Sequence, residues 1–177
     1  QLLAYTEEIS KFITQLQPAE DCVSLLSFRW TDAFSGNVVL ATSNMYLELA
    51  CCVWNMGSFE SLHGARVDRS NEAAIRAASK RFQRAAGCFD FVLTNVLPKL
   101  ASTERLPCFS ENCLRFVRTL MLAQAQLCVY ERSVQDMKKG AMKTSTVAQL
   151  AQQVSVLYTE ASVACRVSSL SAAIDSS

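Results

Sequence analysis

Eight cysteines, one histidine and a sparse set of carboxylates bound the chemistry open to this chain. Cys22, Cys51, Cys52, Cys88, Cys108, Cys113, Cys128 and Cys165 could form a disulfide framework, hold a metal or simply pack. No two are spaced Cys-x-x-Cys, the pair Cys108 and Cys113 has no second pair to complete a tetrahedral set, and His63 is the only imidazole; metal ligation is therefore not expected. Most of the thiols fall inside apolar helical patterns, where a reduced thiol behaves as a small hydrophobe. Cys51 and Cys52 would project about a quarter-turn or more apart on a helix, poorly placed for an unstrained disulfide, and no basic partner is evident to lower either pKa. Reduced core cysteines in a cytosolic protein are the expectation. A redox or metal-responsive protein is the competing reading of the same residues.

The other titratable groups point away from catalysis. His63 lies next to Gly64 near a helix end, with no nucleophile or carboxylate in a recognisable motif around it. The chain has no phosphate-cradling glycine loop, no Gly-x-Ser-x-Gly and no zinc-protease signature. Neither enzymatic activity nor a cofactor is expected. Asp32 stands between aromatic residues, where capping or a buried hydrogen bond is the ordinary role. Glu48 lies in an apolar helical run and needs a partner if buried.

Arg76, Lys80 and Arg84 follow four-residue steps and would line one side of a helix, with Arg69 near its start. Such a stripe is either a solvated outer face or a surface for anionic lipid headgroups. Lys138, Lys139 and Lys143 carry the same two readings. The formal net charge is +1, from 17 basic and 16 acidic residues, so no global field draws the chain to nucleic acid or membrane, and no aromatics interleave with the cations to stack bases.

These residues must be positioned by helices. With 177 residues, half of them hydrophobic, the chain can bury one sizeable core, and 1–177 reads as a single domain. Leu2, Tyr5, Ile9, Phe12, Ile13 and Leu16 form one face of a first helix, stopped by Pro18. The run at about 23–34 is rich in Val, Leu, Phe and Trp and reads as the one convincing β segment, followed by the turn residues Ser35, Gly36 and Asn37. Long helices are expected at about 39–63, 70–98, 110–137 and 145–167. Ser70 and Ser110 are placed to cap two of them, and Lys138-Lys139-Gly140 to end one. Their stripes are Ala73, Ala74, Ala77, Ala78, Phe82, Ala85, Phe89, Val92, Val96 and Leu97; Cys113, Phe116, Val117, Leu120, Gln124, Leu127, Cys128 and Val134; and Val147, Leu150, Ala151, Val154, Leu157, Tyr158, Ala161 and Cys165. The apolar stretch from Val38 to Met56 approaches membrane-spanning length but contains Asn44, Glu48 and Asn55, which suits a core helix better than a lipid-facing one. No secretory signal pattern is visible, and the start at Gln1 rather than Met points to a fragment or a processed product. Short links between long one-sided helices imply antiparallel neighbours in a bundle or α-solenoid.

Four motifs add to this reading. Phe28-Arg29-Trp30-Thr31-Asp32-Ala33-Phe34, Glu48 to Asn55, Lys80 to Phe89 and Met121-Leu122-Ala123-Gln124-Ala125-Gln126 resemble, in order and at about the right spacing, segments of the Bro-one (BRO1-like, ALIX-type) domain family. The resemblance runs from Leu2 to Ala151 and corresponds to the middle portion of such a domain. It implies a mainly α fold of antiparallel helices in a curved, tetratricopeptide-like stack with a short β segment near the N-terminal part. It also implies a noncatalytic adaptor, cytoplasmic and recruited to endosomal membranes, that binds the C-terminal amphipathic helix of an ESCRT-III subunit of the charged multivesicular body protein class on a concave apolar patch. Carried over by the neighbouring motifs, the patch falls on Val129, Thr146 and Leu150. Val129 replaces a larger aromatic and Thr146 an isoleucine-like residue, a loss of apolar contact worth about a kilocalorie or more per mole at roughly 25 cal/mol per Å². The segment from Val134 to Ala141 looks longer than its family counterpart. A diverged Bro-one scaffold for Rho-linked or pH signalling is the alternative within the same family.

Overall fold

The computed structural model describes residues 1–16 and 26–167. Helix α1 spans Leu2–Leu16; strands β1 (Phe28–Thr31) and β2 (Val39–Thr42) follow, then α2 (Met45–Arg66), α3 (Glu72–Phe91), α4 (Glu111–Lys138) and α5 (Thr144–Val167). Pro18 and the expected strand residues before 26 lie outside the described residues. The architecture is mainly helical, each long helix packing on the next, as the one-sided stripes require.

The principal departure from the sequence reading lies at residues 39–44. A helix from 39 is not observed; Val39–Thr42 is instead a second strand, antiparallel to β1, with Phe28 opposite Thr42 and Trp30 opposite Leu40. A continuous apolar run concealed the boundary, which local hydrogen bonds set. The Asn44 N–H donates to Thr42 Oγ1 at 3.1 Å, and Asn44 Oδ1 caps α2 by accepting from the Tyr46 N–H at 2.9 Å. The hairpin turn falls where expected, the Val38 N–H donating to the Ser35 carbonyl at 3.1 Å.

Smaller differences have equally local causes. Asn71, not Ser70, caps α3, its Oδ1 accepting from the Ala74 N–H at 2.9 Å. The expected helix to 98 stays α-helical only to Phe91; Val92–Val96 widens into a π turn and Leu97–Lys99, with Pro98, tightens into a 3₁₀ turn. In α1 the stripe is only weakly buried: Ile9 is in the core, while Leu2 and Tyr5 are exposed. On α3 the buried side includes Ile75 and Ala86 and leaves Ala77 exposed. On α4, Leu114, Met121 and Ala125 join Cys113, Val117 and Cys128 in the core.

Aromatic packing ties the hairpin to the helices. Trp54 of α2 meets Phe34, Phe89 and Phe109 in edge-on contacts, with ring centroids 5.9, 5.0 and 5.7 Å apart. Alongside, α2 and α3 approach closely through two glycines. A Cβ at Gly57 would stand 3.0 Å from Phe89 Cζ, and one at Gly64 would stand 3.1 Å from Phe82 Cε1. Each phenyl ring occupies the space a side chain would need.

Two buried carboxylates fix the hairpin. Asp32 accepts from the Phe34 and Ser35 N–H groups with Oδ1 and from the Cys108 N–H, at 2.7 Å, with Oδ2. Glu48 accepts from the Tyr5 hydroxyl at 3.0 Å and from Trp30 Nε1 at 2.6 Å, with Cys52 Sγ at 3.7 Å. Both therefore have the structural roles expected from the sequence. Replacing Asp32 by Ala strands the buried Cys108 N–H and uncaps the turn, so Asp32→Ala is expected to cost about 2–4 kcal/mol of stability. Urea denaturation of the variant beside the wild type checks this, and an unchanged midpoint would remove Asp32 from the account.

Candidate partner-binding site

Between α3, α4 and α5 lies an open cavity of about 430 Å³. Helix α4 is set by its two ends. Ser110 Oγ caps the start by accepting from the Cys113 N–H at 3.4 Å. At the other end the Gly140 N–H donates to the Met137 carbonyl and the Ala141 N–H to the Asp136 carbonyl, both at 2.9 Å. This is the paired C-terminal cap in which the residue after the helix is left-handed, and Gly140 has φ 75°. The chain then reverses within a few residues into α5, held beside α4 by a Gln126–Gln153 side-chain hydrogen bond of 2.8 Å.

The cavity has an apolar side and a charged side. Val129, 40 % exposed, and half-buried Leu150 face it together with buried Ile75 and half-buried Met142. Polar groups at its base are satisfied: Ser79 Oγ donates to the Ala125 carbonyl at 3.2 Å, and Ser133 Oγ to the Tyr130 carbonyl at 2.7 Å. Arg76, Lys80, Arg132 and Asp136 supply the charge. Glu72 accepts from both Arg76 and Arg132, the latter at 2.8 Å, and Arg132 Nε lies 3.5 Å from Asp136. Lys80 makes no ion pair among the described residues.

Two of the three residues expected to bind a partner, Val129 and Leu150, are thus brought to one cavity. Thr146 is exposed, one helical turn before Leu150, and does not line it. Of the basic stripe, Arg76 and Lys80 line the same cavity, whereas Arg84 projects elsewhere and lies 3.8 Å from Glu60. The stripe is therefore divided between the groove and a neighbouring surface, with part of its charge held by Glu72 and Glu60. Ile75, Arg132 and Met142 were not singled out by the sequence reading. Ile75 could have been found from its spacing with Ala78, Phe82, Ala85 and Phe89, whereas Met142 sits in a turn, where periodicity is silent.

The cysteines have a different environment. Cys51, Cys52, Cys108, Cys113 and Cys128 are buried free thiols. Burial pushes the Cys51 and Cys108 thiols well up, and Cys52 and Cys113 up to about 12, with nearby carboxylates adding to the effect. Such thiols stay protonated and unreactive near neutrality. His63 packs against exposed Phe59 in a tilted ring contact, centroids 4.2 Å apart. Among the described residues no group of three or more His, Cys, Asp or Glu could hold a metal ion, and no helix is long and apolar enough to cross a membrane.

A stack of antiparallel helices with a hairpin at one side and a part-apolar groove across three helices defines a mainly helical domain of the stacked-helix class. The family follows from comparison: the BRO1-like domain model matches residues 1–176, and the chain belongs to that family. It is 34 % identical over 167 residues to the pH-response regulator protein RIM20 of Yarrowia lipolytica, covering 89 % of this chain and 21 % of the relative. It is 33 % identical over 156 residues to the vacuolar-sorting protein BRO1 of Arabidopsis thaliana, covering 88 % and 18 %. The ALIX BRO1 domain solved in complex with CHMP4C superposes with a TM-score of 0.81 at 27 % identity, over 94 % of this chain and 46 % of that one. The chain thus spans about a fifth of the length of these curated relatives.

The buried thiols have a measurable consequence. Their native pKa values lie above the ordinary 9.0, so the unfolded state releases protons first as pH rises. The stability contributed by keeping Cys52 and Cys113 protonated is complete below about pH 9 and is lost progressively between about 9 and 12. Urea midpoints are expected to fall over the accessible part of that range, pH 9 to 11, and a flat profile would contradict the burial of these groups.

Proposed function

We propose that this chain is a noncatalytic adaptor module that receives the C-terminal amphipathic helix of an ESCRT-III subunit of the charged multivesicular body protein class. The binding site is the groove between α3, α4 and α5, and the setting is endosomal sorting at the cytoplasmic face of the membrane. One observation carries the reading: Val129 and Leu150, far apart in sequence, line one open cavity in a fold similar to a BRO1 domain solved with CHMP4C. An amphipathic helix suits such a site because its apolar stripe can cover the Ile75, Val129 and Leu150 side while its polar flank meets Lys80 and the Glu72-bound arginines. Water is excluded from the apolar part, and the charges at the rim set orientation and encounter rate more than affinity.

The similarity to RIM20 favours a second reading, a scaffold for pH-response signalling. It differs in what the bound subunit is used for and leaves the groove with the same task. Direct contact with anionic membrane through Arg76, Lys80 and Arg84 has less support, because two of these cations share acidic partners and two face the groove.

The test is binding of a fluorescent peptide of the CHMP4C C-terminal helix to the full-length protein, wild type beside Leu150→Asp. Placing a carboxylate on the apolar side of the groove is expected to weaken binding by at least about thirtyfold, the scale of a central interface residue, with the melting temperature retained. Absence of saturable binding by the folded wild type would exclude this partner class.

A further inference from the structure

We infer that Met142, carried by the turn between α4 and α5, is the third apolar contact for the segment that occupies the groove, in place of Thr146. The inference rests on the helix-binding reading above and specifies which surface the partner touches.

Three observations converge on this residue. From 138 to 146 the chain is exposed at every position except half-buried Met142, so the turn offers solvent four lysine, glycine and alanine positions before it and Lys143, Thr144, Ser145 and Thr146 after it, and partly covers one large apolar side chain. That side chain lines the same cavity as Val129 and Leu150, which Thr146 does not. The direction of the turn is fixed: the left-handed Gly140 and the double cap on Asp136 and Met137 leave little freedom in how the chain departs from α4. The Thr146 and Val147 N–H groups donate to the Lys143 carbonyl, at 3.1 and 3.3 Å, so only Lys143 separates Met142 from the start of α5.

The spacing suits the proposed occupant. Leu150 lies about two helical turns into α5, a rise of roughly 9 Å from Thr144 at 1.5 Å per helical residue, with Met142 in the turn just before it. An amphipathic helix presents anchors at i, i+3 or i+4, and i+7 over a similar distance. Val129 is smaller than the aromatic expected at its position, and an unbranched thioether lining the same cavity can adjust its rotamers to the partner's side chain in a way that a β-branched threonine on a helix surface cannot. The chemistry expected of the partner is an amphipathic helix whose stripe extends at least two turns, with a terminal apolar anchor against the thioether.

The experiment uses the full-length protein and the CHMP4C C-terminal helix peptide, with Met142→Gln, Met142→Leu, Thr146→Ala and Leu150→Asp beside the wild type. Met142→Gln is expected to weaken binding about tenfold and Thr146→Ala by less than about twofold, while Met142→Leu, close in volume and apolar, stays within about twofold of the wild type. Melting temperatures exclude a folding defect as the cause. Contact itself is read from the ¹³C-labelled methionine methyl resonance that Met142→Leu removes from the spectrum, which is expected to shift as peptide is added to the wild type. An unmoved resonance at saturating peptide, or unchanged affinity of Met142→Gln while Leu150→Asp fails to bind, overturns the role of Met142 and leaves the helix-binding reading standing. A wild type that does not bind the peptide overturns both.

Discussion

Glu48 is a buried carboxylate with no cation at hydrogen-bond distance among the described residues, and the arrangement of the N-terminal half depends on how it is satisfied. Its donors come from separate places: the Tyr5 hydroxyl from α1, Trp30 Nε1 from β1, and the Cys52 thiol from its own helix. A buried carboxyl group is tolerable only while its hydrogen-bond donors remain, so α1 and the hairpin are held against α2 by a polar requirement as well as by apolar contact. Desolvation of the Tyr5 hydroxyl beside Glu48, and its hydrogen bond to that carboxylate, raise its pKa to about 12, which extends its role as a donor into the alkaline range. Asp32 does the same for the far end of the hairpin, joining it to the segment that enters α4. With the hairpin fixed at both ends, Trp54 has a closed aromatic surround, and the three helices beyond α2 are left to form the groove.

The groove is built mostly from surface that the core does not require. Ile75 is fully committed to the interior, but Val129 is substantially exposed and Leu150 only half covered, so an occupant could gain apolar burial without displacing packed residues. The charged side is different in kind. Arg76 and Arg132 share Glu72, and Arg132 also approaches Asp136; because these pairs are solvent-accessible their individual worth is small, and their effect is to hold the arginine side chains in place along the rim. Lys80, which has no such tether among the described residues, is the most adaptable cation of the wall.

Much of this was legible in the sequence because helical periodicity is a long-range average. The existence and order of α1, α2, α3, α4 and α5 follow from stripes of apolar residues, and the end of α4 from Lys138, Lys139 and Gly140. What stayed hidden was local. Val39 to Thr42 belongs to an apolar run that continues into α2, and only the hydrogen bonds of Thr42 and Asn44 divide strand from helix. The α3 cap fell on Asn71 rather than Ser70 because neighbouring cap-forming residues compete and geometry selects one. The π turn at Val92–Val96 leaves no mark on composition. For the groove, residue correspondence with a family pointed to Val129 and Leu150, which line one cavity, whereas Thr146 is exposed outside it and Met142, in a turn where periodicity is silent, is among the lining residues.

The glycine–phenylalanine contacts between α2 and α3 also constrain how the chain can vary. Gly57 faces Phe89 and Gly64 faces Phe82, so both glycines and both rings are seven residues apart and run in opposite directions. The two contacts act as a vernier: they coincide in one alignment of the helices, and a shift of one residue would drive a Cβ or a ring into the opposing backbone at both places. Insertions are then admissible in the 67–71 connection, which changes neither spacing, but not between Gly57 and Gly64 or between Phe82 and Phe89. Length variation among chains built on this plan should therefore collect in the turns, while the seven-residue interval within each of these helices stays constant even as the residues around it drift.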